Sequence, residues 1–113
     1  MNEELKQIFG ESITVGGASV PCAHLRYKGE SRTYIVWSIT GIRGELYGDD
    51  ELINSAVSVD IDVYSDRNYI DVITEIKNIM KNNEWIWVED SQEMFDEDTE
   101  LYHKTISFEK EGE

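Results

Sequence analysis

The sequence predicts an α+β fold: a mainly antiparallel sheet packed against one long helix, with a short helix at the N-terminus. Three observations carry that expectation. AVSVDIDVYS, residues 56–65, alternates Val57, Val59, Ile61 and Val63 with Ser58, Asp60, Asp62 and Tyr64, the period of a strand with one face in the core. Residues 69–82 instead place Tyr69, Val72, Ile73, Ile76, Ile79 and Met80 at helical spacing. The other strand-like runs lie in pairs before and after this helix, without regular β-α-β alternation, which points away from a parallel sheet.

In chain order, Leu5, Ile8 and Phe9 mark a short helix over 3–9 that packs as a flap and stops at Gly10. Gly16 and Gly17 suit a turn before a strand from about Val20 to Tyr27, and Pro21 places that strand's start or a sheet edge there. TYIVWSI, residues 33–39, sets Tyr34, Val36 and Ser38 on one face and Ile35, Trp37 and Ile39 on the other. Gly41 and Gly44 then flank a flexible connection into the acidic turn at residues 48–51. Asn68 or Asp66 is the expected cap of the helix, and Asn82-Asn83 its end. WIWVE reads as a strand with Trp85 and Trp87 on one side. Met94 and Phe95 are expected to turn inward from the acidic stretch 89–100, and LYHKTISFE, residues 101–109, closes the sheet. Residues 1–113 form one domain, 1–16 as helix and turn and 110–113 as a frayed tail.

Charge narrows the function. Ten basic residues against 24 acidic ones give a formal net charge of -14, so the molecular field repels phosphate backbones. The repulsion is useful only where DNA must pass without sticking; a local basic patch at Arg26, Lys28 and Arg32 is the other escape. Cys22 is the single cysteine, which excludes an intrachain disulfide and suits a reducing interior. The N-terminal stretch is acidic and the longest apolar-rich run, YIVWSI, is short, so a soluble, intracellular protein without membrane contact is expected.

The candidate chemistry is thin. Cys22, His24 and His103 are zinc-ligand types but lack compact paired spacing, and the acids at 96–100 lack the glycine and spacing of a calcium loop. Asp60 and Asp62 share a strand face without a third acidic or lysine partner at a recognisable spacing. No nucleophile elbow, phosphate loop or dinucleotide motif occurs. No catalytic residue, metal or cofactor is therefore expected. The acidic loops Asp49, Asp50, Glu51 and Asp96, Glu97, Asp98, Glu100 are candidate interaction surfaces, against the plainer reading as solvated turns. Aromatic residues on both faces of a strand imply that the second face is covered too, and Tyr47, Tyr64, Trp37 and His103 are the candidate interface.

Two stretches acquire meaning together: GELYGDDELINSAVSVDIDVYSD, residues 44–66, and FDEDTELYHKTISFE, residues 95–109. The first joins a Gly-x-Leu-Tyr-x-Asp-Asp-Glu turn (Gly44, Leu46, Tyr47, Asp49, Asp50, Glu51) to a strand of the Val-Asp-Ile-Tyr kind, matched by Val59, Asp60, Ile61, Val63, Tyr64 and Ser65. The second ends in Asp98, Thr99, Leu101, Tyr102, His103, Lys104, Ile106 and Phe108. Together they resemble the small tail-terminator and tail-completion proteins of long-tailed bacteriophages and of prophages in Gram-positive bacteria, over residues 20–109. The resemblance implies a ring of copies, commonly hexameric, at the head-proximal end of the tail tube, where it stops tube growth and joins the head. It implies no catalytic residues. The implied partners are other copies of the chain, the tail-tube protein and a head-completion or neck protein, with DNA only in passage. The implied location is the host bacterial cytoplasm during assembly and the neck of the virion afterwards. Acidic loops facing the lumen would repel passing DNA; facing outward they would steer basic surfaces of tube or neck. The alternatives from other classes are an acidic inhibitor that mimics DNA and a small metal-dependent enzyme.

Overall fold

The computed structural model describes residues 2–47 and 51–112, with side chains for 4–41 and 57–110. The elements are α1 (Asn2–Phe9), β1 (Ser12–Val15), β2 (Ala18–His24), β3 (Thr33–Tyr47), β4 (Glu51–Ser65), α2 (Ile70–Asn82), β5 (Ile86–Asp90), β6 (Met94–Asp96) and β7 (Leu101–Gly112). The strands lie in the order β1-β2-β3-β4-β7-β5, with β6 also paired to β7. Only β2 and β3 run parallel; the other described pairs are antiparallel. The expected mixed fold with a mostly antiparallel sheet is what forms, but α2 has thirteen residues, an ordinary length rather than a long helix.

Alternation decides the faces. Trp37, Ile61 and Ile106 align across three strands, as do Ile39, Val59 and Phe108, and this row faces the helices. α2 lays Val72, Ile76 and Met80 into the same buried cluster, and α1 adds Leu5 and Phe9, so α1 belongs to the core rather than to a flap. Each fully buried side chain of this kind stabilises the fold by about 1.5–3 kcal/mol. The opposite face carries Tyr34, Tyr64 and His103 in one row and Ser38, Asp60 and Ser107 in another.

Several boundaries differ from those expected. Ser12–Val15 is a strand, hairpinned to β2 through Gly16 and Gly17, whose φ values of 57° and 85° require the left-handed region. β2 stops at His24 because Leu25 turns left-handed, with φ 71°. Tyr69 occupies the N-cap position of α2, while Asn68 Oδ1 accepts a hydrogen bond from the Ile70 amide at 3.0 Å. Met94 and Phe95 are 48% and 50% exposed on the short edge strand β6, not turned inward. β7 continues to Gly112, so the expected frayed tail is strand at 110–112, paired with Val57, Ala56 and Ser55.

The largest difference concerns Gly41 and Gly44. They lie inside β3, which pairs with β4 from Thr33↔Ser65 to Tyr47↔Glu51 across a bulge between Ile39 and Gly41. β2 borders β3 only at Ile35–Trp37, and β7 follows β4 no further than Ser55. Beyond Gly44↔Ser55 the described pairs are Glu45↔Asn54, Leu46↔Leu52 and Tyr47↔Glu51, so among the described residues the sheet continues there as a short two-stranded arm. The molecule measures 52 × 28 × 23 Å.

Candidate functional site

On the face turned away from the helices, four rings stack in a line across the strands. Tyr27 lies on Tyr34 with centroids 4.4 Å apart, Tyr34 on Tyr64 at 4.8 Å, and Tyr64 on His103 at 4.2 Å. Burial first, and the negative charges of Asp62 and Asp96 after it, push the Tyr64 hydroxyl above its ordinary value. Below the ladder, Asp62 Oδ1 meets His103 Nε2 at 3.1 Å and accepts from Thr105 Oγ1 at 2.5 Å, while Asp60 Oδ1 accepts from Ser107 Oγ at 2.6 Å. These carboxylates satisfy hydroxyls of the neighbouring strand.

At the sheet end opposite the arm, Arg32 gathers three segments. Its Nε lies 3.2 Å from Asp66 Oδ2 and its Nη2 donates to the Thr99 carbonyl at 2.9 Å. Arg67 Nε reaches the other Asp66 oxygen at 3.2 Å, and that hydrogen bond leads the causes that lower the Asp66 carboxyl below its ordinary value. The acidic turn closes on itself: Asp96 Oδ1 accepts from the Asp98 amide at 2.9 Å, and the Asp96 carbonyl accepts from the Glu100 amide at 2.7 Å. Glu97, Asp98 and Glu100 face solvent.

Beside this end, a groove of about 650 Å³ runs between the start of α2 and the edge formed by β6 and β7. Its walls include Arg67, Ile70, Ile73, Tyr102 and Lys104. Tyr69 Oη donates to Glu93 Oε2 at 2.5 Å within it, and burial together with that carboxylate pushes the Tyr69 hydroxyl well above its usual range. Phe95 leans on Tyr102 at 5.1 Å, and Ile70 is 62% exposed. The groove escaped sequence reasoning because Tyr102 sits at an inward position and Ile70 lies just beside the helical stripe. An isoleucine outside the buried face of an amphipathic helix was the available signal.

Of the candidate interface residues, the fold brings Tyr64 and His103 together on the open face. Trp37 is corrected: it is 1% exposed, stacked on His24 at 4.0 Å inside the core, because the odd positions of β3 face the helices. Tyr47 and Glu51 pair across the end of the arm, their side chains outside the described set. Asp49 and Asp50 lie outside the described residues. Cys22 is buried beside Ile35 and His24 pairs with Trp37, whereas His103 occupies the other face, so the three zinc-ligand types are separated by the sheet. Among the described residues no group of three or more His, Cys, Asp or Glu is placed to hold a metal ion. Among them, too, no helix is long and apolar enough to cross a membrane. No family model matches this chain, and no curated protein matches its sequence.

Proposed function

We propose that the protein is a structural component of a phage or prophage tail, assembling as a ring at the head-proximal end of the tail tube, where it ends tube growth and prepares the joint to the head. One observation carries the reading: the two stretches that resemble tail terminators, residues 44–66 and 95–109, become neighbouring strands. β4 and β7 pair from Ser55↔Gly112 to Ser65↔Tyr102. Residues remote in sequence thus constitute one continuous part of the fold. The net charge of -14 supports the same reading, since an acidic passage does not retain DNA.

The test is capping. Purified protein added to growing tail tubes of the same phage stops elongation and is found, by gold labelling, at one end of each tube. Labelling along the tube wall, or elongation at an unchanged rate, contradicts the proposal. A DNA-mimicking inhibitor would instead bind a basic host protein with marked salt sensitivity and leave tubes untouched.

A further inference from the structure

β5 and β6 form one border of the sheet: both pair with β7 on the side away from β4, and among the described residues no strand lies beyond them. Alternate backbone N–H and C=O groups of β5 therefore point outward without a ladder. Edge strands are usually blunted by charge or proline, yet Ile86, Trp87 and Val88 are 64%, 53% and 49% exposed and are neither. Ile86 pairs with Glu109 on the open face, Trp87 pairs with Phe108 on the helix side, and Val88 stands at the bulge that follows, so this edge is apolar on both faces. Met94 and Phe95 on β6, with Tyr102 opposite Phe95, extend the same border. These six side chains are about half exposed and, at roughly 200 Å² each in full, present on the order of 600 Å². That is the upper end for the largest apolar patch of a monomer, and most of the ~800 Å² that each side of a standard-size interface contributes.

We infer that β5 of one copy adds to β5 of a second copy, antiparallel about a two-fold axis near Trp87, so that two sheets join edge to edge. The occupant of this edge has to be a strand that is itself apolar on both faces. β5 meets that condition, whereas β1, at the opposite border, buries Ile13 and turns Ser12 and Thr14 to solvent. Centring the pair on Trp87 sets Ile86 opposite the other copy's Val88 and keeps Glu89 from facing its own equivalent. Asp90 is already held by Lys77 at 3.2 Å, with Lys104 at 3.8 Å, and Lys77 also lies over the Trp87 ring at 4.5 Å. The bulge keeps the added ladder short, so apolar burial supplies most of the contact. An isologous contact closes at two copies. It neither needs nor builds a ring on a tail tube, so the dimer stands or falls apart from the tail reading.

Sedimentation equilibrium of the purified full chain should show a reversible dimer. Trp37 and Trp85 are buried, so acrylamide quenching of fluorescence in this chain of three tryptophans reports mainly on Trp87, and it should fall as the dimer fills. Each copy carries a net charge of -14, so added salt should strengthen the association. Val88→Lys places a common edge-strand guard at an exposed position; it should weaken association at least about ten-fold and leave the circular dichroism unchanged. Thr14→Lys, on β1, should leave the dimer intact. A chain that stays monomeric at high concentration, as when the edge takes a strand of another protein, overturns the inference, and so does one that passes directly to larger assemblies. Quenching that ignores association, a dimer that salt dissolves, or one that Thr14→Lys weakens and Val88→Lys spares would overturn it as well.

Discussion

Trp37 and Tyr64 show how two aromatic residues on neighbouring strands acquire different roles from a single step in parity. Trp37 faces the helices and is buried, so Trp37→Ala should cost about 3–5 kcal/mol in urea unfolding. Tyr64→Ala, which interrupts a half-open ring ladder, should cost clearly less, and equal losses would mean that the faces are misassigned. Cys22 gives a pH dependence. Burial pushes its thiol from 9.0 up to about 12, so between those values the unfolded chain has released a proton that the folded chain keeps. Stability is therefore full below about pH 9 and falls as pH rises through that window. The raised Tyr69 hydroxyl adds to the same alkaline loss. Cys22→Ala should flatten the fall in denaturant titrations from neutral to strongly alkaline pH; an unchanged slope would remove the thiol from the account. The alternation at 56–65 made the residue scale legible, whereas the Asp62, His103 and Thr105 contacts needed the register of β4 on β7, which no local pattern encodes.

At the scale of elements, the sequence was most readable where hydrophobic periodicity was unbroken. The expected helix over 69–82 and the observed α2 differ by one residue, and the strand at 56–65 lies inside β4. Reading failed where backbone pairing, rather than side-chain pattern, holds the element. Glycines at 41 and 44 signal a loop by propensity, yet β3 continues through them because β4 supplies its hydrogen bonds. β6 is three residues long and β1 four, too short for alternation to register. This division yields a further expectation. Ile76→Ala, in the centre of α2, should destabilise by about 2–5 kcal/mol. Urea unfolding that finds Ile76→Ala as stable as the parent chain would remove α2 from the core.

At the scale of the whole molecule, shape and charge act together. The β3–β4 pair runs past the other described strands at one end of the sheet and a groove of mixed polarity lies at the other, in a chain of net charge -14. Reversing the charges of Asp49, Asp50 and Glu51 to lysine should slow DNA release from assembled particles if these acids face the lumen, and weaken tube capping if they meet a neighbour or the tube. Unchanged behaviour in both assays would remove acidity from the functional account. The most direct measurement is electron microscopy of particles from an induced host whose phage genome lacks this gene. The account expects overlong tail tubes beside filled, unjoined heads, restored to normal length when the gene is supplied in trans. Tails of normal length on complete particles would contradict it.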